Sequence, residues 1–544
     1  MEFYKDIITI NKQTKLYNDL EFFNSTDNSN NYIFKKINKT NTDIGSLYLK
    51  NLILKPIDDI NILNERQTFI KKLETNNHFD KIHNYLKEIK LCEPHLKYIL
   101  DDKFKSDEMQ KLLDNIYFKK KFLLFINKNS ILLHCLCLYS NYLSPFFDIV
   151  SPITTLISMC FFAKKYGFNL FDFSLLKSFF RIIYLSVSNK QIFFLIVSVI
   201  IWIIMYFYSV YKSIKTSYNN IKIINYIQTI IISISKIVHY TEEISDLLNY
   251  NLKKNDFIKH YNLYQNYKFI STGKILTDFL YIAENKHKLY EHIKFLGFID
   301  SNISIALLHK QYNLTYSNYI KSNKPTIKVE SIVHPLVDNS IPNSINIDNF
   351  NNILITGNNA AGKSIFMKSL IISIILSQTI TLSFSHNIEF TPFTLINTHI
   401  NIPDCSGKES LFQAELNRLI NVYKQIKNNE NNKQFSLLIV DELFSSTNPK
   451  EAISASYSIC KNLSKFKNSI NIITTHYDYL TNLDKYKWHN YHFQGSIINN
   501  NIVYDYKLKD GKCNTHIALK ILEKKINDEK IIKDATKIYN KLKI

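Results

Sequence analysis

Three hydrophobic patterns follow one another along the chain. From Ile44 to about Phe125 the apolar residues recur at helical spacing. Leu47, Leu49, Leu52, Ile53 and Leu54 make one stripe, which Pro56 closes, and Ile60, Leu63, Phe69, Ile70 and Leu73 make a second. Residues 1–40, polar and Asn-rich around Asn24–Asn31, read as a poorly ordered lead-in with one helix. In the middle the pattern becomes continuous: Ile192–Tyr211 carries no charge and is flanked by Lys190 and Lys212. About 20 apolar residues suffice to cross a bilayer as a helix. Leu143–Ala163 is also apolar, but it holds Asp148, Pro145 and Pro152. The two stretches read either as a membrane hairpin joined by a basic loop (Lys164, Lys165, Lys177, Arg181, Lys190) or as two buried core helices. The chain is then helical again from Tyr211 to Lys321. After Pro325 short β-type runs appear at Ile327–Val329, Ile345–Ile347 and Asn352–Thr356. Strands and helices then alternate to about residue 505, the pattern of an α/β domain. Thr515–Leu542 is helical and charged.

Composition narrows this picture modestly. The chain has 544 residues, room for two to four domains, and a 46% hydrophobic content that excludes a disordered chain. Its net charge of +20 suits nucleic acid or an anionic membrane surface, or it reflects a Lys-, Asn- and Ile-rich compositional bias. Seven Cys without a C-x-x-C pair make no disulfide framework, and Cys135 and Cys137 read as packing residues. Met1–Lys15 shows no apolar run of the signal-peptide kind, so an intracellular protein is expected. Gly is scarce, nine residues in all, and two of the nine are Gly357 and Gly362.

Those two glycines belong to the strongest chemical signal. A short strand, Asn352–Ile355, runs into Gly357–Ser364, GNNAAGKS, and then into a helix at Ile365–Leu376. This is the G-x-x-x-x-G-K-S phosphate loop in the strand–loop–helix context that it needs. Backbone N–H groups of Gly357, Asn358, Asn359, Ala360, Ala361 and Gly362 would cradle phosphates at the helix N-terminus. Lys363 would neutralise the β- and γ-phosphates, and Ser364 would supply a hydroxyl to Mg²⁺. The run LLIVDE, Leu437–Glu442, reads as a buried parallel strand ending in two carboxylates. Asp441 is placed to hold Mg²⁺ and Glu442 to orient or deprotonate water. A third strand, Ile472–Thr474, ends at Thr475-His476, where His476 can reach a γ-phosphate. ATP and Mg²⁺ are the implied cofactors.

With these residues in place the chain resembles the MutS mismatch-repair ATPases, within the ABC-type ATPases. Thr42–Leu73 resembles the start of that family's lever region, running from a Gly-Ser through a Leu-rich helix and a Pro to Arg66-Gln67. His334-Pro335-Leu336-Val337 resembles the motif that opens the family's ATPase domain. Ser406–Leu416 looks like the signature segment, with Ser410, Phe412 and Glu415 matching. The resemblance implies that Ser410 reaches the nucleotide of the opposite subunit, so a homodimer or heterodimer is expected. Asp441–Ala452 resembles the acidic strand end and following loop, with Thr447 and Asn448 matching and Ser446 in place of a Gly. Ile473–Leu480 is similar to the family's Ala-Thr-His-Tyr motif, and Asp510–Leu522 to its closing segment.

The expected architecture is α + α/β: a lead-in (1–40), an outgoing lever (41–130), an apolar segment (131–212), a returning lever (213–325), an ATPase domain (326–514) and C-terminal dimerisation helices (515–544). The chain departs from the family in two ways. Glu2-Phe3-Tyr4 echoes its Phe-x-Glu element only superficially, and a mismatch-reading domain to carry it is not expected. The apolar segment stands where the DNA clamp is expected. The resemblance implies ATP-dependent binding of double-stranded DNA in repair or recombination. The apolar segment implies the alternative, a membrane-associated ATPase anchored through residues 143–211, with the ATPase on the cytoplasmic side.

Overall fold

A computed structural model describes residues 14–25, 31–165, 189–252, 271–358, 360–400, 411–444, 447–498, 501–513 and 529–541. The chain divides into two compact units. One contains residues 84–295, and the other contains residues 4–83 and 296–544.

The helices, in chain order, are α1 (Thr14–Asp19), α2 (Ile33–Ile37), α3 (Asp43–Ile53), α4 (Ile60–Glu74), α5 (Phe79–Leu100), α6 (Asp107–Leu113), α7 (Leu124–Asn127), α8 (Ser130–Leu138), α9 (Ser144–Lys165), α10 (Asn189–Leu247), α11 (Thr272–Glu284), α12 (Tyr290–Tyr312), α13 (Lys363–Ile380), α14 (Leu411–Asn431), α15 (Pro449–Leu463) and α16 (Glu529–Lys541). The strands are β1 (Thr315–Tyr316), β2 (Asn318–Tyr319), β3 (Ile327–Ile332), β4 (Asn343–Ile347), β5 (Asn352–Gly357), β6 (Leu382–Ser383), β7 (Asn387–Phe390), β8 (Leu395–His399), β9 (Ser436–Asp441), β10 (Ser469–Thr475), β11 (Trp488–Ile498) and β12 (Asn501–Asp510).

The unit holding residues 84–295 is helical. Its unusual member is α10, 59 residues long, whose two halves meet different surroundings. From Ile223 onwards Ile224, Ile227, Ile230, Ile231 and Ile234 are buried. The earlier half is bare: Phe193, Ile200, Trp202, Ile204 and Phe207 are exposed, as are Phe146, Ile153 and Phe161 on α9. The two helices touch where the Tyr206 hydroxyl donates to the Ile149 carbonyl at 2.9 Å. Further along α10, Asn220 Nδ2 donates at 3.1 Å to Oδ1 of Asn141, which lies in the helical turn Tyr139–Leu143 before α9.

Two described helices are long and apolar enough to cross a membrane: Val197–Leu247 within α10, and α13. The apolar window of α13 is 83% buried inside the protein, and that of α10 is not buried at all. The earlier stretch passes that test only when Lys121–Asn127 and Ser130–Thr155 are taken together, across a 93° bend. The expectation of two buried core helices therefore finds no burial in the described part of 192–211. Cys137 is a buried free thiol, as expected of a packing residue, whereas Cys135 points outward and is exposed, so the packing expectation fails there.

The other unit is built on a six-stranded sheet, in the order β12-β11-β5-β10-β9-β8. The neighbours from β11 to β8 are parallel, and β12 returns antiparallel at one edge. Strands β5, β9 and β10 are buried nearly throughout, which explains their unbroken apolar runs. A second sheet, in the order β2-β7-β3-β4, lies in the same unit.

Helices α3 and α4 belong to this unit. Gln378 Nε2 on α13 donates to the Ile57 carbonyl at 2.9 Å, and the Arg66 guanidinium donates to the Thr379 carbonyl. Gln67 Nε2 donates to the Ser317 carbonyl at 2.9 Å. Arg66 thus fastens α4 to the end of α13, and Gln67 fastens it to the segment between β1 and β2. At the start of α3, Thr42 caps Gly45 N–H and donates its hydroxyl to Asp300 Oδ2 at 2.7 Å. A Cβ on Gly45 would stand 2.1 Å from that same oxygen, so this position needs glycine.

The expected lead-in differs from what is found. Within residues 14–25, Leu16, Tyr17, Leu20 and Phe22 are buried, and the Tyr17 hydroxyl donates to the Ile53 carbonyl at 2.6 Å. The Asn-rich composition around them masks a short amphipathic turn.

Candidate functional site

The site lies at the C-terminal ends of β5, β10 and β9, where loops leave adjacent parallel strands and ligands bind in sheets of this kind. The three ends are level: Thr474 pairs with Ile355 on one side and with Asp441 on the other.

The loop after β5 turns through three residues of positive φ: Gly357 (145°), Ala360 (65°) and Gly362 (102°). Gly357 is also sterically required, and at Gly362 the positive φ adds to a tight contact. A Cβ on Gly357 would meet the Phe493 carbonyl oxygen at 2.5 Å, and one on Gly362 would meet the Tyr506 ring at 3.2 Å. Tyr506 itself has φ of 52°, and its carbonyl accepts from Asn343 Nδ2 at 2.9 Å. Helix α13 starts at Lys363, so its unpaired N–H groups face the loop. Ser364 is exposed at its first turn.

Lys363 is only 5% exposed. Its ammonium donates to the Gly357 and Asn358 carbonyls at 2.8 and 3.1 Å and lies 3.8 Å from Glu442 Oε1. Burial lowers its pKa, against the opposing pull of Glu442 and Asp441. Glu442 also faces His476, with Nδ1 to Oε2 at 3.6 Å. The His476 imidazole, aided by Lys363, holds the Glu442 carboxyl below the usual carboxylate range. A carboxylate kept ionised can accept a proton from water.

Thr474 is a part of this site that sequence reasoning missed. Its hydroxyl donates to Asp441 Oδ1 at 2.5 Å and accepts from Glu442 N–H at 3.1 Å. It therefore fixes the Asp441 carboxylate and the backbone of Glu442, which leaves the strand at φ of 54°. Only its place one strand over, next to Thr475-His476, could have marked it.

The residues fit a magnesium nucleotide. The Asn358 side-chain amide Nδ2, within the loop itself, is buried without a hydrogen-bond partner and is free to meet a phosphate oxygen. Ser364 and Asp441 are the hydroxyl and carboxylate available to a magnesium ion.

The remaining expected residues are placed as follows. Asn359, Ser410 and Ser446 lie outside the described residues. Phe412 and Glu415 are on the first turns of α14: the Phe412 ring is 5.1 Å from Phe444, and Glu415 is buried. Thr447 Oγ1 lies 3.5 Å from Glu451 Oε2, and Asn448 caps α15 by accepting from Lys450 N–H at 3.0 Å. His334 is half-buried, and its Nδ1 accepts from Leu336 N–H at 3.2 Å. Burial pushes its pKa down to about 4. It lines a pocket of about 490 Å³ with Lys36, Phe384 and His386.

Comparison with known proteins finds two domains of one family. Residues 353–543 match MutS domain V, and residues 17–148 match MutS domain III. Among curated proteins the chain is similar to mouse MutS protein homolog 4, at 27% identity over 283 residues, covering 48% of this chain and 29% of that protein. It is similar to the DNA mismatch repair protein MutS of Staphylococcus haemolyticus, at 25% identity over 272 residues, covering 47% and 30%. The corresponding protein of Clostridium perfringens is 26% identical over 230 residues, covering 40% and 25%. The matched region thus spans less than a third of each relative's length.

Proposed function

We propose that this MutS-family chain binds Mg-ATP at Gly357–Ser364 and Asp441 and hydrolyses it in a composite site shared by two subunits. One observation carries the proposal: a single carboxylate, Glu442, stands 3.8 Å from the loop lysine Lys363 and 3.6 Å from His476.

Lys363 would neutralise phosphate charge, and Ser364 and Asp441 would hold Mg²⁺. The ion would supply further neutralisation of charge developing on the phosphoryl oxygens. Glu442 takes the proton of the attacking water, and His476 stabilises the γ-phosphate side. Ser410 of one subunit completes the site of the other. Ile531 and Ile538, seven residues apart and exposed on α16, support a helix that packs on a partner. Closure of the dimer would pull on α3 and α4 through Arg66 and Gln378 and drive a clamp around duplex DNA in mismatch repair or recombination. The +20 charge supports that partner. The test is ATP-dependent binding of a duplex oligonucleotide, measured against salt. Affinity should fall steeply between ~50 and ~200 mM, and binding that ignores salt or ATP counts against the DNA partner.

A second reading rests on the bare apolar helices. Phe193, Ile200, Trp202, Ile204, Phe207 and Tyr211 are exposed along α10 within the uncharged run Ile192–Tyr211, whose length is about that of a bilayer span. In that reading the chain is a membrane-anchored MutS-like ATPase acting on a membrane or protein partner. The full chain would stay with membranes through a carbonate wash, and a chain lacking residues 143–211 would not. Recovery of the full chain in the soluble fraction would sink it.

A further inference from the structure

Asp19, the last residue of α1, is 7% exposed, yet it carries a carboxylate. Among the described residues, its donors come from the end of β8 and from α14. The Thr398 hydroxyl donates to Oδ2 at 2.8 Å, and the Arg418 guanidinium pairs with the same oxygen. The Ile400 backbone N–H is also bonded to it. Arg418 donates in addition to the Thr398 carbonyl at 2.8 Å. Thr398 and Ile400 are at the end of β8, and Arg418 is two turns into α14. One carboxylate therefore ties together the strand that leads into residues 401–410 and the helix that follows them. On its other side α14 rests on the acidic strand end, through Phe412 against Phe444.

The same strap reaches the phosphate-loop helix. Two residues after Asp19, Glu21 Oε1 pairs with Lys368 Nζ on α13 at 3.2 Å. Leu16, Tyr17, Leu20 and Phe22 hold it down by burial. Apolar residues can fill such a crevice at no loss of stability, since a buried ion pair roughly offsets its own desolvation. What the carboxylate adds is direction, because it accepts only where Ile400, Thr398 and Arg418 present donors.

We infer that Asp19 is a positioning residue for the α14 signature helix, acting through Arg418 on the nucleotide site of the partner subunit. This rests on the composite-site reading above. The strap would then serve two sites, its Glu21–Lys368 pair touching the subunit's own loop helix and Asp19 the surface offered to the other.

The test is subunit complementation with the full-length protein. Asp19→Asn alone should leave binding of a fluorescent ATP analogue near wild type and cut kcat about tenfold, the order expected when a catalytic group is slightly misplaced. Lys363→Ala removes nucleotide binding. In mixed dimers of these two variants, one site pairs the intact loop of the Asp19→Asn subunit with the intact signature of the Lys363→Ala subunit. An equal mixture should therefore regain about a quarter of the wild-type rate, since about half of two-fold dimers are mixed and each holds one good site. A control mixture of Ser410→Ala with Lys363→Ala should behave the same.

If the control regains activity and the Asp19→Asn mixture does not, Asp19 acts within its own subunit and the inference is overturned while the composite site stands. If neither regains activity, the composite site falls and takes the inference with it. A wild-type kcat for Asp19→Asn also overturns it. Should Asp19→Asn fail to fold, Arg418→Gln mixed with Lys363→Ala is predicted to regain activity in the same way, and its failure beside a working control is equally decisive.

Discussion

Lys363 Nζ and Glu442 Oε1 face each other at 3.8 Å across the mouth of the phosphate loop. One comes from the start of α13 and the other from the end of β9, with β10 between their parent strands. The pair brings the proposed phosphate-binding cation and the proposed base to one point. Each influences the other's charge: Glu442 opposes the lowering of the Lys363 pKa, and Lys363 helps to keep Glu442 ionised.

Removing the cation should remove the ligand. Lys363→Ala is expected to weaken ATP binding by roughly 100-fold or more, the loss typical of truncating one partner of a buried charge pair. Equilibrium titration with a labelled nucleotide checks this.

The loop should tolerate no side chain at its first glycine. Gly357→Ala places a Cβ 2.5 Å from the Phe493 carbonyl oxygen, at a φ of 145°. A cost of about 1–3 kcal/mol is expected from backbone strain alone. Urea denaturation of the variant should show a lower midpoint, and nucleotide binding should be lost with it.

These two residues were legible because the chemistry is local. Gly357, Gly362, Lys363 and Ser364 lie within eight residues, and LLIVD reads as a buried strand from its apolar run alone. Thr474 and Asp19 were not legible, since each acts across strands or across hundreds of residues. Asp19 meets Thr398 and Arg418 only once the sheet is assembled. The lead-in misled because its Asn-rich stretch hides the buried Leu16, Tyr17, Leu20 and Phe22. The stripe on α3 was legible in kind but not in detail: Ile44 and Gly45 are buried with Leu49 and Ile53. Asp300, which explains Gly45, arrives from far along the chain.

The contact between Gly45 and Asp300 gives a stability prediction. Gly45→Ala would drive a methyl group into the Asp300 carboxylate and break its bonds to Thr42. A loss on the order of 2–3 kcal/mol is expected for a disrupted buried polar group. Thermal unfolding measures it, and an unchanged Tm would contradict the packing described.

A pH effect should arise from Asp278. Burial pushes its carboxyl up to about 7, against about 3.9 in an unfolded chain. Between those values the folded state binds more protons than the unfolded state, so stability falls as pH rises. The contribution is full below pH ~4 and is lost as pH passes through ~7. Asp278→Asn should flatten the fall in Tm between pH 5 and pH 7, by on the order of a few degrees. A slope equal to wild type would contradict this.

The central claim is that Glu442 is the base of an ATP-hydrolysing site. Its most direct measurement is the single-turnover rate of ATP cleavage by Glu442→Gln beside its equilibrium affinity for ATP. Affinity should stay close to wild type while the rate falls by about 100-fold or more, the usual contribution of a positioned general base. Hydrolysis at the wild-type rate would contradict it.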